Sequence, residues 1–387
     1  MKKSLIALAV AAFGAASANA AAVYDKDGTS LSVSGEMEAM YWSNHASGNS
    51  AQDQTVSDRA RINFDGRTEL SSGISAYGFY EWETEHNGDS TEATDLSARY
   101  AYAGVDFGKF GKVQVGRYED PFEYAGNVVD NLEETGLICG MDERNSGHLS
   151  YMWSGYGFDA GASYQFATDK YNADMFGTVD VNGGFSVYAG YTSPAVLFGP
   201  ISVRAAYLYL DAQNIAHEGT IGNFWDEDAE QYDVDNVVKN IKSSDFGLAW
   251  GTMGDGFYVA THYNVSLLSG YDKTSEASGS VKFKIWESMV SYGFDNGVVL
   301  SAAYSNVIGE VNDEDGYDKK KVNTAELIAS YDVNENFRVW AEATIDCNSD
   351  DGAYSYFYAK GSGKLDDDGE EIYEGTNAVM IGARYTF

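Results

Sequence analysis

In residues 55–70, TVSDRARINFDGRTEL, the alternate positions Ser57, Arg59, Arg61, Asn63, Asp65, Arg67 and Glu69 are all polar. On an extended chain such residues share one face, so Arg59 and Arg61 project side by side. Arg99 in SARYAYAG and Arg144 in ERNSGHLSY stand on the polar side of comparable segments. Glu119, Asp120 and Glu123 gather in the intervening YEDPFEYAG. Guanidinium and carboxylate groups of this kind act on ions and dipoles without making or breaking bonds. The side chains suited to bond-making chemistry form no such set. His45, His86, His148, His217 and His262 show no metal-ligand spacing. GYGFDAG at 155–161 misses the dinucleotide pattern, and GSGK at 361–364 lacks the upstream Gly and following Ser/Thr of a phosphate loop. The sequence therefore predicts no catalytic residue, no bound cofactor and no metal.

Alternation with period two recurs along the chain and predicts strands. In LSVSGEMEAMY, Leu31, Val33, Met37, Ala39 and Tyr41 take one side while Ser32, Ser34, Glu36 and Glu38 take the other. Sixteen strands follow, near 29–42, 55–70, 73–85, 95–107, 111–118, 144–153, 157–166, 183–192, 200–211, 241–251, 256–268, 280–294, 297–310, 321–332, 336–347 and 376–387. Most reach ten residues, longer than soluble strands usually run, and their connections alternate short and long. Short turns at one rim and long loops at the other mark an antiparallel transmembrane β-barrel, apolar outside and wet inside. Tyr41, Tyr80, Trp82, Tyr151, Trp153, Tyr207, Tyr209, Trp340 and Tyr385 are expected to form the aromatic girdles. Inward Tyr77, Phe79, Tyr188 and Tyr258 are scattered, and no continuous aromatic track is expected.

Composition narrows the class further. Among 387 residues, 25 Lys+Arg oppose 59 Asp+Glu, a net charge of −34 that argues against nucleic acid as a partner. With 14 % aromatic residues, 29 of them Tyr, the chain is far from a disordered acidic composition. Residues 1–20, MKKSLIALAVAAFGAASANA, read as an export signal with cleavage after Ala20. Residues 21–387 then form one barrel domain carrying −36. Two cysteines, Cys139 and Cys347, are too few for a disulfide scaffold, and their pairing stays open. Eight acids without a Lys or Arg lie between Asp211 and Asp235, and six more lie in 366–374.

VYDKDGTSLSVSG at 23–35, WESMVSYGFDNGVVLSAAYS, NTAELIASYDVNENFRVWAEATID and the closing NAVMIGARYTF are the segments through which the chain resembles the Gram-negative general porins. These are sixteen-stranded trimeric diffusion channels, and the likeness runs over residues 21–387. It implies an all-β, 16-stranded barrel in the outer membrane, with lipid and lipopolysaccharide around it. It also implies a third loop, 119–143, folded into the lumen, with Glu123, Asp120 and Glu119 facing a basic wall of Arg61, Arg99, Arg144 and Arg59. The solutes implied are ions and small hydrophilic molecules, the assembly a homotrimer. With so acidic a mouth the channel is expected to prefer cations. A substrate-specific channel, or a barrel whose outer loops bind other surfaces, is the alternative.

Overall fold

The computed structural model describes residues 21–44, 55–86, 96–130, 133, 144–173, 176–216, 225–226, 231–232, 236–272, 278–313, 316–347, 361–365, 371–373 and 377–387. Residues 1–20, expected to be an export signal, together with Cys139 and most of the two acidic runs, lie outside them. The strands are β1 (Ala21–Lys26), β2 (Thr29–Asn44), β3 (Thr55–Ser71), β4 (Ile74–His86), β5 (Ser97–Asp106), β6 (Lys112–Glu119), β7 (Arg144–Gly155), β8 (Phe158–Asn172), β9 (Thr178–Thr192) and β10 (Ile201–Ala216). After the short pair β11 (Trp225–Asp226) and β12 (Gln231–Tyr232) come β13 (Asn236–Thr252), β14 (Asp255–Asp272), β15 (Ser278–Gly293), β16 (Val298–Asp313), β17 (Gly316–Asn334) and β18 (Phe337–Asp346). A second short pair, β19 (Gly361–Leu365) and β20 (Glu371–Tyr373), precedes β21 (Ala378–Thr386).

Each long strand pairs antiparallel with the next, and β21 joins β18 to β2, closing a sixteen-stranded barrel. The sixteenth position is composite. β21 pairs with Glu36–Asn44 of β2, and β1 pairs with Thr29–Val33 beside it. Between them Gly35 and Phe387 exchange two backbone hydrogen bonds, both 3.0 Å. A Cβ on Gly35 would sit 2.4 Å from the Arg61 carbonyl and 2.8 Å from the Phe387 ring, so a side chain there would break the seam. Closure matters because an open edge in lipid leaves backbone groups without partners.

Alternation sets the two faces. Met37, Val56, Ile62, Leu149, Phe246, Val259, Leu300 and Ile381 are exposed on the outside, while Glu38, Ser57, Glu81, Ser150 and Asp245 face inward and are buried. Short turns at 72–73, 156–157, 253–254 and 335–336 alternate with the long connections 45–54, 87–96 and 120–143. The expected strict alternation is not kept beyond β8: 173–177, 273–277 and 314–315 are short where long loops were expected, while 193–200 on the turn side has eight residues. Several strands run further than the sequence indicated. β8 and β9 reach toward each other so that residues 173–177 are all that separates them. β1 was not foreseen. Trp340 is a correction to the girdle: it shares the inward face of β18 with Glu342, is 2 % exposed, and packs on Met40 and Met380.

The lumen is not evenly polar. Inward positions near the long-loop rim of β9 to β17 are apolar and covered: Val181, Leu210, Ile241, Phe283, Val307 and Val322. Phe176, in the 173–177 connection, reaches β15, its ring 5.2 Å from that of Phe283. Each such side chain gains about 1.5–3 kcal/mol by leaving water. The rim of this part of the wall is thereby dry, while further along the same strands carry the buried polar groups Asp245, His262, Asn264, Glu287 and Glu326.

Candidate pore constriction

Residues 120–130 and Glu133 lie inside the barrel. Asp120 caps the short 3-10 helix Pro121–Val128, accepting from the Phe122 N–H at 2.8 Å. Its carboxylate also accepts from the hydroxyls of Ser163 on β8 and Ser186 on β9. Further along, Arg204 of β10 donates to the Tyr124 carbonyl at 3.0 Å, and Tyr258 of β14 donates to the Val128 carbonyl at 2.6 Å. Gly247 of β13 makes room for this crossing, since a Cβ there would lie 2.2 Å from the Ala125 carbonyl. Behind the helix, beside Gly247, the fully buried His262 lies between two acids. Its Nε2 is 2.6 Å from Asp245 Oδ1 and its Nδ1 3.2 Å from Glu287 Oε2. Among the described residues no group of His, Cys, Asp and Glu is arranged to hold a metal ion.

The loop ends its crossing on the far wall. Arg338 of β18 donates to Glu133 Oε1 at 2.8 Å, Arg384 of β21 lies 2.7 Å from Glu133 Oε2, and the Glu133 N–H donates to the Glu342 carboxylate. Asp130, just before, is exposed. Neither Glu133 nor Arg384 was singled out from sequence. Only the crossing of the loop, which no periodicity encodes, brings them together.

Opposite the helix stand the predicted arginines, each beside acids of its own wall. Arg61 binds Glu36 and Glu83, Arg99 donates to Glu81 at 2.8 Å and lies 3.4 Å from Glu83, and Arg59 binds Glu38. Arg384 binds Glu38 and lies 3.6 Å from Glu36, so the row continues through Glu133 to Arg338 and Asp332. Arg144 sits 3.5 Å from Glu119, which also accepts from the Tyr100 hydroxyl. Positive and negative groups thus alternate along β21, β2, β3, β4 and β5. Of the predicted acids, Glu119 belongs to the wall, Asp120 faces the β8–β9 wall, and Glu123 is 7 % exposed within the 3-10 helix. The loop's own acids on this side are Asp130 and Glu133.

The expectation of scattered inward aromatics is corrected. Tyr77, Phe79, Tyr102, Tyr100 and Tyr118 make successive ring contacts at 5.4–6.4 Å along β4, β5 and β6. The cause is a bulge in β5. Glu81 pairs with Tyr100 and Trp82 with Ala98, so Arg99 is the extra residue and parity changes there. Strict alternation through Arg99 would have sent Tyr100 and Tyr102 to the lipid.

A family model described as Gram-negative porin matches residues 7–351. Outer membrane protein S2 of Salmonella typhi is 26 % identical over 92 % of this chain and 95 % of its own. Outer membrane protein U of Vibrio vulnificus is 34 % identical over 49 % of this chain and 56 % of its own, about half of either. The solved structure of Salmonella typhi OmpF in complex with daunomycin superposes with a TM-score of 0.68 at 17 % identity, covering 95 % of this chain and all of that one. With barrel closure and inward loop in agreement, the chain belongs to the Gram-negative porin family, the outer-membrane channels.

Proposed function

We propose that this porin is a passive, moderately cation-preferring channel for ions and small hydrophilic solutes, without catalysis or bound cofactor. The observation that carries the preference is the pairing of Arg59, Arg61, Arg99 and Arg384 with Glu36, Glu38, Glu81 and Glu83. A wall so compensated carries little net positive charge, while the chain as a whole is −34. Fixed negative charge draws cations to a pore and repels anions, and salt screens the effect. Reversal potentials across a bilayer in a salt gradient test this. Cation preference that declines with salt is expected, and an anion-selective potential at low salt overturns it.

Three further assignments belong to the same reading. The first 20 residues act as an export signal, supported by the charged start at Lys2 and Lys3, the apolar stretch from Leu5 to Phe13 and the small residues Ala18 and Ala20; N-terminal sequencing of membrane-extracted protein tests it. The exposed apolar outer face meets lipid and lipopolysaccharide. The chain forms a homotrimer through the outer face of β2–β6. There Gly66, Gly78, Ala101 and Ala103 form a trough of about 530 Å³ edged by Leu31, Phe64, Tyr80 and Val115. Small residues allow close approach of a second barrel in lipid. Gly78→Phe is expected to convert trimers to monomers on native electrophoresis without loss of barrel circular dichroism.

A further inference from the structure

Four of the aromatic rings on the inner wall are half-buried, open on one side to the lumen: Tyr77, Phe79, Tyr100 and Tyr102. Phe79 and Tyr102 stack at 5.4 Å with planes 27° apart, and Tyr77 and Tyr100 stand edge-on to Tyr102 at 6.3 and 6.4 Å. The row continues through Tyr118, His148 and Tyr171, but these are 1–2 % exposed. The open part is therefore a patch of limited length.

Its edges are polar and largely fixed. Tyr77 donates to Gln114 at 3.1 Å and Tyr100 donates to Glu119. The guanidiniums of Arg99 and Arg144 lie 5.7 Å from the Tyr100 ring centre. Asp65 pairs with Phe79 across β3 and β4, and Arg67 meets Asp106 at 2.7 Å below. The rim guanidiniums each have a carboxylate partner, Arg67 with Asp106, Arg99 with Glu81 and Arg144 with Glu119, so the rim offers both signs together. A hydrated cation gains only weakly from an exposed ring face, and a wholly apolar solute would strip water from the rim charges without replacing their hydrogen bonds. A pyranose presents both needed surfaces: a C–H face for rings and equatorial hydroxyls for carboxylates and guanidiniums.

We propose that Tyr77, Phe79, Tyr100 and Tyr102 form a stacking platform for neutral pyranose sugars crossing the lumen. It lies beside the Arg61–Arg99 row, so a sugar held on the rings hinders ion flow past that row. The proposal rests on the chain being a conducting channel and names a solute class for it.

The test is ion current through the full protein in a planar bilayer as maltotriose is added. The control is polyethylene glycol of equal size. Expected is a saturable block by maltotriose, against a decline following viscosity alone with the polymer. Phe79→Leu with Tyr102→Leu keeps bulk but removes two ring faces. It should raise the half-blocking concentration about five-fold, the worth of an aromatic contact, with salt conductance retained. Phe79→Leu alone should give a smaller rise and serves if the double variant does not insert. Conduction with no saturable block in the unaltered protein, or equal block in the variants, overturns the platform and leaves the channel standing. Absence of conduction removes both.

Discussion

Arg384 Nη2 lies 2.7 Å from Glu133 Oε2, tying the inward loop to the strand that closes the barrel. The two residues are 251 positions apart, and the same carboxylate takes Arg338 on its other oxygen. Glu133→Gln leaves Arg384 with Glu36 and Glu38 and Arg338 with Asp332. Single-channel recording should show noisier open currents and closure at lower voltage. Thermal unfolding should change by no more than about 1 kcal/mol, as for a part-exposed pair.

Asp120 is the anchor at the other end. It is 2 % exposed and accepts from one backbone N–H and two serine hydroxyls. Asp120→Ala leaves the Phe122 N–H and one of the two hydroxyls without that acceptor, since Ser163 and Ser186 lie 2.9 Å apart and one can still donate to the other, a cost of about 1–3 kcal/mol. A lowered unfolding midpoint and a larger, less uniform conductance are expected. An unchanged midpoint would remove Asp120 from this role.

Neutralising the wall tests its electrostatics directly. In the triple variant Arg61→Gln, Arg99→Gln, Arg144→Gln, the carboxylates of Glu81, Glu83 and Glu119 lose their arginine partners. Cation preference should rise, most strongly at 0.1 M salt, where charges act over about 10 Å, and little at 1 M, where the range is about 3 Å. Reversal potentials equal to those of the unaltered protein would show that the mouth alone sets selectivity.

Gly247→Leu tests the seating of the loop without touching a charge. Its side chain would collide with the Ala125 carbonyl and the Val128 side chain, displacing the 3-10 helix toward the passage. Conductance should fall, and amide hydrogens of residues 122–129 should exchange faster while those of β13 and β14 stay protected. Unchanged exchange would mean that the wall yields instead.

What sequence could show here was set by period two. Arg61 on β3 and the outward Val56, Ile62 and Leu70 were legible because a strand with one wet and one oily face must alternate. Partnerships were not: Glu36, Arg61 and Glu83 align through the registers of two strand pairs, which alternation leaves free. Arg99 pairs with Glu81 of the inward face, and the bulge it makes also turned Tyr100 and Tyr102 inward, against the simple pattern. Trp340 carried the right residue type for a girdle and the wrong parity. The loop crossing from Asp120 to Glu133 has no periodicity at all, so its anchors Arg204, Tyr258 and Arg384 became visible only in three dimensions.

The seam at Gly35 and Phe387 bears on how such a molecule is made. Residues 21–26 and 378–387 must meet on the same flank of β2, across a span of roughly 350 residues whose closure entropy alone is about 5 kcal/mol. Until the last ten residues arrive, β2 and β18 present two bare edges. A chain in transit is then a sticky ribbon, ready to pair with any other. Its journey to the membrane requires escort or haste, and a nonsense codon anywhere, even near residue 380, yields a product fit for a protease rather than a smaller pore.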